Sequence, residues 1–514
     1  MLCKKNNASI RALTMTLGAF VVKVLGFLYK IPLSRFLGDE GMGYYNSAMT
    51  VYAVFYILTS SAIPKAFSII LTRGRIQYTK RSYKLASIAF IAIFLIAGVI
   101  SGALLFYLSD KISMLMGVKD AYVAIKFVAP AIIISSGVAL CRGYLLSLNK
   151  LTPVALSEVI ESMLKLLCGI YFIILSEHRH LSLTQTSAFA TLGVSVGAFV
   201  SFLYLIICIL KGNKEHYQFG NGNFMFKGFL SSLIKITVPI AMTSLLVSFS
   251  NVIDMGLINK RLIASGVSSV DAIAQYGNYS TLVLPLFSFV SSIAAAYSLS
   301  SFPKLSKLYE SKSMVKFANE ANSAIPTLLS CSIFLALCFC FFGEEYFEVV
   351  FVNNNTAQGA LLLRIMSPAA VFISLSTYIN TVLEARGNTL APLITLGLGI
   401  LFKIPISYYT IAKFGIVGCA FSSVISYGIG FIISYYIIRK KEGIHIITIK
   451  NVLYSLIRGA LPLTVSLLLK EGIKKSNTAI IYKLIPPIIC GILFLLVSHF
   501  LTKIDAKNRL NSTN

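Results

Sequence analysis

The sequence is short of charge. Only 12% of its 514 residues are Asp, Glu, Lys or Arg, and 56% are hydrophobic, whereas an average soluble domain carries about 25% charged residues. The apolar residues fall in runs of about 20 or more, the length that a helix needs to cross the hydrocarbon core of a bilayer. This composition excludes an ordinary soluble domain and predicts an all-α integral membrane protein that crosses the membrane many times.

Several motifs that would indicate other functions are also missing. The nine Cys residues form no CxxC motif and no Cys/His cluster with zinc spacing, so we predict neither a metal site nor a cofactor. No G-x-x-x-x-G-K-[ST] loop occurs, which excludes a nucleotide-driven pump on this chain. No cleavable signal peptide is expected, because the first apolar run is long, contains Lys23 and lacks a small-residue cleavage site. Trp is absent, so any interfacial aromatic belt would draw on the 26 Tyr residues.

The apolar runs predict fourteen membrane-spanning helices. The segments between them are short, and none is long enough to form a soluble domain. The predicted spans are approximately 8–30, 44–71, 85–108, 121–147, 153–176, 183–210, 230–259, 272–301, 318–342, 358–384, 390–412, 415–438, 449–469 and 479–502.

The net charge of +26 follows from topology, because membrane proteins retain Lys and Arg in their cytoplasmic loops. One set of alternate loops carries most of the cations, while the other set includes Glu344, Glu345 and Glu348. The positive-inside rule therefore places both termini in the cytoplasm. We predict a monomer surrounded by membrane lipids and no nucleic-acid partner.

Two short motifs repeat at the same separation. "SAIPK" (61–65) resembles "SSFPK" (300–304), and "NKLTP" (149–153) resembles "NTLAP" (388–392), each pair 239 residues apart and at equivalent span boundaries. Parallel repeats of this kind are a transporter architecture, with the substrate site between the halves. We therefore predict two pseudo-symmetric six-helix lobes. Their limits would be 1–215 and 216–443, with helices 13 and 14 and a cytoplasmic tail in 444–514.

Ionisable residues within the predicted spans are candidate functional residues, because each costs about 2.5–3.5 kcal/mol at the bilayer centre. Lys23 lies in the middle of the first span, and Lys30 follows seven residues later on the same helix face. Pro32 then interrupts the helix before Arg35. We predict that Lys23 lines an aqueous cavity. Lys30 and Arg35 either do the same or extend to the lipid headgroups.

Four further charges lie in later spans. Glu161 and Lys165 are four residues apart, a spacing that favours an ion pair within one helix. Lys403 has no acidic neighbour in its own span, so we expect it to need a partner from elsewhere or a ligand. Asp254 is a candidate to pair with Lys23 or to accept a coupling ion, and Glu161 is a second candidate for ion coupling or charge pairing. A cavity with surplus Lys suits an anionic group such as a phosphate or pyrophosphate, since Lys presents a mobile point charge.

Much of the sequence resembles a known family. The segments that show the resemblance are "VVKVLGFLYKIPLSRFLGDEGMGYYNSA", "SSAIPKAFSII", "SEVIESMLK", "NVIDMGLINKRL" and "GNTLAPLITLGLGILFKIP". They resemble the stage V sporulation protein B and polysaccharide transporter (PST) family of the multidrug/oligosaccharidyl-lipid/polysaccharide (MOP) exporter superfamily, which includes MATE and MurJ-like proteins. The resemblance implies two lobes in a V shape, two extra C-terminal helices and alternating access. It also implies a flippase for an undecaprenyl-pyrophosphate-linked oligosaccharide used in cell-wall, spore-cortex or polysaccharide biosynthesis.

The resemblance also implies which residues bind the substrate. MurJ-like proteins use arginines of the first helix as cavity cations. Lys23 stands at the first such position here, Tyr29 or Lys30 at the next, and Arg35 matches a further arginine. Together with Lys165 and Lys403 these are the candidate substrate-binding cations. A Lys in place of an Arg loses the bidentate contact to phosphate.

Two other functions remain open at this point. An ion-coupled multidrug or metabolite antiporter of the same superfamily, driven by sodium or protons, would need a carboxylate-rich cavity, for which Asp254 is the main candidate. A membrane glycosyltransferase would need a large external loop with paired carboxylates. The longest outer segments, near 177–184 and 344–357, are too short for that loop. We therefore predict a transporter and not an enzyme.

Overall fold

The structure is a computed structural model that describes residues 2–61, 63–211, 220–222, 226–351, 354–388, 390–442, 449–475 and 485–495. Within these ranges the chain is almost entirely helical, and its one β-type pairing is an isolated bridge between Tyr78 and Gly222. The helices are α1 (Leu2–Tyr56), α2 (Ile63–Gln77), α3 (Lys80–Tyr107), α4 (Ser109–Leu115), α5 (Tyr122–Ser147), α6 (Leu151–His178), α7 (Leu183–Leu210), α8 (Phe226–Ala264), α9 (Ser269–Asn278), α10 (Leu284–Glu310), α11 (Met314–Ser323), α12 (Ile325–Val350), α13 (Thr356–Met366), α14 (Ala369–Ala385), α15 (Ala391–Phe414), α16 (Ile416–Glu442), α17 (Ile449–Lys475) and α18 (Ile485–Leu495).

The helices confirm an all-α, multi-pass membrane protein. In the described part of the chain, ten helical runs are long and apolar enough to cross a bilayer, and eleven if α13 and α14, bent by 49°, count as one further span. The run Gly18–Gln77 has 60 residues, far more than one crossing of about 30 Å requires. It is broken at Gly38, whose φ of 59° and ψ of −168° are not helical, in keeping with the two spans predicted there.

The count of fourteen spans stays a prediction. The last predicted span, 479–502, is described only over Ile485–Leu495, and the C-terminal tail beyond it lies outside the described residues. Positions 62 and 389 of the repeated motifs also lie outside them. The motif at 149–153 runs into the start of α6, and the motif at 388–392 runs into the start of α15.

Six helices of the described chain end in the same way. At each of these ends one residue adopts a positive φ, its N–H donates to the carbonyl three residues back, and the next N–H donates to the carbonyl five residues back. This Schellman motif satisfies carbonyls that the helix leaves without partners, and Gly is favoured at its left-handed position. The six left-handed residues are Gly117, Asn149, His180, Gly266, Lys312 and Gly387.

The chain forms two compact units, Met1–Gly277 and Asn278–Asn514. In the first unit, α6 and α7 approach so closely that their backbones are in contact. A Cβ on Gly197 would lie 2.6 Å from the carbonyl oxygen of Glu161, and one on Gly193 would lie 2.8 Å from the Cα of Gly169. Small residues permit this approach between membrane helices, where packing and not water exclusion drives association. The predicted lobe limits of 215 and 443 stay predictions.

The second unit contains a neutral polar network that joins three helices. Asn380 on α14 donates through its Nδ2 to Thr395 Oγ1 on α15, at 3.1 Å, and Ser434 on α16 donates to Asn380 Oδ1, also at 3.1 Å. Elsewhere in this unit α10 packs on α14 and α12 packs on α17. The Phe334 and Phe494 rings stack at a centroid distance of 4.0 Å, which seats α18 against α12.

Replacing Gly43 by Ala is expected to destabilise the first unit, because the added Cβ would meet the carbonyl oxygen of Ile273 on α9. Overpacking of this kind costs about 1–3 kcal/mol, which should lower the apparent melting temperature of the detergent-purified protein. Gly26→Ala on the same helix is the control, since no heavy atom lies within 4 Å of its added Cβ and Ala favours the helix. Equal melting temperatures for the two variants would contradict the close crossing of α1 and α9.

Candidate functional site

Two of the predicted cavity cations meet in the first unit. Lys30 on α1 and Lys165 on α6 are both half-buried and lie close enough for their charges to act on each other. The Lys165 ammonium is also 5.7 Å from the centroid of the Tyr29 ring, within the range of a cation–π contact. Two neighbouring ammonium groups repel, so an anion placed against both would be stabilised by both. We call Tyr29, Lys30 and Lys165 the lysine cluster.

Tyr29 fixes the geometry of the lysine cluster. Its side chain is only 2% exposed, and its hydroxyl donates to the carbonyl oxygen of Ala190 on α7 at 3.2 Å. The Tyr29 ring meets the Tyr45 ring edge-on at 6.1 Å, an arrangement that aromatic pairs favour. Gly169 on α6 makes the room, because a Cβ there would collide with the Tyr29 hydroxyl. The tyrosine is therefore held by three helices, and its ring gives the Lys165 ammonium a fixed neighbour.

The other two predicted cavity cations of α1, Lys23 and Arg35, are more exposed. Lys23 and Arg35 lie in the same helix as Lys30, and more than a third of each is accessible. Lys23 precedes Lys30 by seven residues, so the two point to the same side of α1. The structure thus brings Lys30 and Lys165 together, while the membership of Lys23 and Arg35 in one substrate site stays a prediction.

Glu161 is paired, but not with the expected partner. Its Oε2 accepts a hydrogen bond from Arg142 on α5 at 2.7 Å, and the Arg142 side chain is only 8% exposed. The predicted ion pair between Glu161 and Lys165 was therefore wrong. Arg142 reaches the carboxylate from the neighbouring helix, whereas the Lys165 ammonium lies over Tyr29. Tertiary packing outweighs the modest energy of an i,i+4 pair, about 0.2–0.5 kcal/mol.

Arg142 is the residue that the sequence analysis missed. Its Nε donates to Ser157 Oγ at 2.9 Å, one of its terminal nitrogens also donates to Ser201 Oγ at 3.4 Å, and Ser201 donates to the Ser157 carbonyl oxygen at 3.0 Å. This network ties α5, α6 and α7 together. The signal was present in "SSGVALCRGYLL", a single arginine within an apolar span, to which the same reasoning applies as to Lys23.

Asp254 and Lys403 are both 5% exposed. Asp254 belongs to α8 in the first unit, and Lys403 to α15 in the second. Lys403 follows Gly399 and precedes Ser407 at four-residue steps on the buried stripe of α15. Ser407 donates to Ser422 on α16 at 2.7 Å, so this stripe faces protein and not lipid. Among the residues that the structure describes, no group of three or more His, Cys, Asp or Glu could hold a metal ion.

Two family models match the sequence. The model described as "MatE" matches residues 239–409, and the model described as "Polysaccharide biosynthesis protein" matches residues 11–309, more than half of the chain. The chain belongs to the polysaccharide biosynthesis protein family. The predicted resemblance to the polysaccharide transporter branch of the MOP superfamily is thereby confirmed.

Within the polysaccharide biosynthesis family, the chain is similar to its relatives over most of its length. Stage V sporulation protein B of Bacillus subtilis (strain 168) is 24% identical over 429 residues, 80% of each chain. Lipid II flippase MurJ of the same organism is 22% identical over 461 residues, 84% of this chain and 82% of the relative. A solved structure, "Lipid II flippase MurJ, inward closed conformation", covers 96% of this chain and 99% of its own at 17% identity, with a TM-score of 0.74. That likeness shows a shared fold.

Replacing Arg142 by Met is expected to destabilise the protein strongly, because it leaves the Glu161 carboxylate, which is only 21% exposed, without its cation. Such a loss typically costs about 3–5 kcal/mol. The double variant Arg142→Met/Glu161→Leu should recover much of it, since no charge is left unpaired. Lys304→Ala is the control, because the Lys304–Glu320 pair leaves Lys304 65% exposed, and exposed pairs contribute about 0–1 kcal/mol. In thermal unfolding in detergent, the melting temperature should fall most for Arg142→Met, less for the double variant and least for Lys304→Ala. An Arg142→Met protein as stable as the Lys304→Ala protein would refute a structural role for the pair.

Proposed function

We propose that the protein is a flippase that moves an undecaprenyl-pyrophosphate-linked oligosaccharide across the cytoplasmic membrane by alternating access. The observation that carries this proposal is the lysine cluster, where the Lys165 ammonium lies over the buried Tyr29 ring and close enough to Lys30 for the two charges to interact. Family membership and the names of the relatives, a flippase and a sporulation protein, support the same function. The substrate would serve cell-wall, spore-cortex or polysaccharide biosynthesis.

The proposed cycle needs electrostatics and no covalent chemistry. A pyrophosphate carries more than one negative charge, so it offers separate oxygens to Lys30 and Lys165. Lysine ammonium groups bind phosphate as point charges and hold it less rigidly than the bidentate fork of arginine. This suits a group that must be bound on one side and released on the other. Lys23, Arg35 and Lys403 would add to the same positive field, and the prenyl tail would stay in lipid.

The loop charges give the proposed direction of transport. With both termini in the cytoplasm, the headgroup would enter from the cytoplasmic leaflet and leave to the outer leaflet. A charge that crosses the field gains about 2.3 kcal/mol per 100 mV, so the membrane potential is able to bias the cycle. Asp254, which is 5% exposed, is the proposed site of ion coupling or of charge pairing with a cavity cation.

An ion-coupled antiporter of the same superfamily is the second candidate. The MatE match over residues 239–409 and the buried carboxylate of Asp254 favour it. A cavity for cationic drugs needs a surplus of carboxylates, however, and the lysine cluster provides the opposite charge. The flippase is therefore the better-supported function.

Removing cations of the proposed site should slow transport of a labelled prenyl-pyrophosphate oligosaccharide in reconstituted vesicles. We expect Lys30→Ala and Lys165→Ala to lower the initial rate at least ten-fold, and Lys23→Ala and Lys403→Ala to lower it measurably. Lys126→Ala is the matched control, because this half-buried lysine of the same unit lies 4.8 Å from the Phe106 ring centroid and outside the lysine cluster. Wild-type rates for both Lys30→Ala and Lys165→Ala would reject the cation mechanism.

Lipid that co-purifies with the protein should distinguish the two candidate functions. We expect mass spectrometry of gently solubilised protein to detect a prenyl-pyrophosphate sugar, and to detect less of it on the Lys30→Ala/Lys165→Ala double variant. The physical reason is that the two ammonium groups supply the headgroup's counter-charge. Equal amounts of prenyl-pyrophosphate lipid on wild type and double variant would mean that the lipid is bound elsewhere.

A further inference from the structure

A pocket of about 430 Å³ opens where α6 turns into α7. Its volume falls within the range of about 300–1,000 Å³ that small-molecule sites occupy. All of its lining belongs to the first unit, and it contains no Lys or Arg. The main lining residues are Phe36, Ile173, Glu177, His180, Leu181 and Thr186. We call it the turn pocket.

The walls of the turn pocket differ in chemistry. Ile173 and Thr186 are buried and form its floor, while Phe36, Glu177 and His180 are exposed at its rim. The side chains of Glu177 and His180 make no hydrogen bond or ion pair with any residue of the described chain. A hydrogen-bonding carboxylate, an imidazole and an aromatic ring therefore stand around one cavity with their polar atoms available. The lack of a lysine or arginine makes it unsuited to a phosphate.

The turn that carries His180 is rigid. The His180 N–H donates to the Glu177 carbonyl oxygen at 2.9 Å, and the Leu181 N–H donates to the Ser176 carbonyl oxygen at 3.1 Å. Ser182 and Gln185 then form a reciprocal capping box at the start of α7. The pocket is thus largely preformed, as ligand sites usually are.

His180 occupies a backbone position that favours glycine. Its φ is 53°, in the left-handed region that residues with a Cβ enter only at a cost. Three of the six equivalent turns of the described chain use Gly at this position. Histidine is one of the residues that adopt this conformation more often than most non-Gly residues do, and at this position it gives the pocket an imidazole.

We propose that the turn pocket binds a sugar ring of the transported glycan. Phe36 offers an apolar face to the C–H groups of a pyranose, and Glu177 accepts hydrogen bonds from its hydroxyls. His180 can donate or accept, and Thr186, whose hydroxyl already donates to the Ser182 carbonyl at 3.1 Å, can accept. A neutral, polyhydroxylated ring matches this combination. An anion would find no Lys or Arg in the lining to balance its charge, and a purely apolar ligand would make no hydrogen bond to the Glu177 carboxylate.

The position of the pocket agrees with a glycan whose phosphate lies at the lysine cluster. Phe36 follows Lys30 by six residues on α1, a rise of about 9 Å, and Glu177 follows Lys165 by twelve residues on α6, a rise of about 18 Å. An oligosaccharide spans such a distance. The assignment of the sugar to the transported lipid rests on the proposed function, while sugar binding itself does not.

The absence of tryptophan provides a direct test. Phe36→Trp places the only indole of the protein at the rim of the turn pocket and retains an aromatic face. We expect glucose, galactose or N-acetylglucosamine to change the indole emission of the detergent-purified full-length variant saturably. Spermidine serves as the cationic probe. A response to spermidine alone, or to none of the three sugars, would overturn the proposal.

Substitutions at His180 separate ligand binding from turn geometry. In the Phe36→Trp background, His180→Gly should weaken sugar binding at least ten-fold and leave the melting temperature unchanged or higher, because Gly relieves the left-handed strain. His180→Asn tolerates the same φ and tests the imidazole if the Gly variant unfolds. Lys312→Gly, an equivalent turn in the second unit, should leave sugar affinity unchanged. Wild-type affinity in both folded His180 variants would overturn the role of the imidazole.

The fluorescence assay tests sugar binding in the turn pocket separately from transport. The indole of the Phe36→Trp variant reports sugar binding without translocation, so adding Lys30→Ala to that variant should slow transport at least ten-fold and retain the fluorescence response to sugar. Transport that fails in every vesicle assay, together with a saturable sugar response, would reject the flippase and leave the pocket. Transport of prenyl-pyrophosphate glycan with no fluorescence response to sugar would reject the pocket alone.

Discussion

The close contact between α6 and α7 is the constraint on which the first unit depends. Gly169, Gly193 and Gly197 bring the two backbones together without intervening side chains. The absence of a Cβ on Gly169 leaves the space that the Tyr29 hydroxyl fills, and that hydroxyl donates to Ala190 on α7. The Lys165 ammonium lies over the Tyr29 ring. The position of the lysine cluster therefore depends on the three glycines that let α6, α7 and Tyr29 pack closely. In a membrane, where lipid is as apolar as leucine, this kind of fit replaces the hydrophobic effect as the source of specificity.

The two units solve the same packing problem with different chemistry. In the first, a guanidinium and a carboxylate join α5, α6 and α7, with two serine hydroxyls to complete the hydrogen bonding. In the second, an amide and two hydroxyls join α14, α15 and α16. The ionic version holds its partners more strongly once formed, but it also penalises any arrangement that separates them. The cost of separating Arg142 from Glu161 therefore favours the arrangement of α5, α6 and α7 in which the two side chains are in contact.

The fold was largely predictable from the sequence, and the site only in part. Run length and hydropathy determine an all-α membrane protein, since few other structures satisfy the backbone in lipid. They also point to Lys30 and Lys165, because charge stands out in apolar runs. What they do not contain is the direction of a side chain across to another helix. Glu161 was therefore assigned to its neighbour on α6 instead of to Arg142 on α5. His180 was missed for a related reason, because its place at the rim of a pocket depends on a helix-ending turn and on neighbouring helices that the sequence does not locate.

Gly38 shows a different kind of limit, one of handedness and not of space. A Cβ built at this position would meet no atom within 4 Å, yet its φ of 59° with ψ of −168° falls in a region that is closed to L-residues. The residue types allowed at position 38 are therefore limited by the chirality of the α-carbon and not by space around the side chain. A D-amino acid introduced there by chemical synthesis would adopt these angles without strain. Every other genetically encoded residue has the L configuration, for which this conformation is strained. Glycine is therefore the one genetically encoded residue that forms this bend without strain.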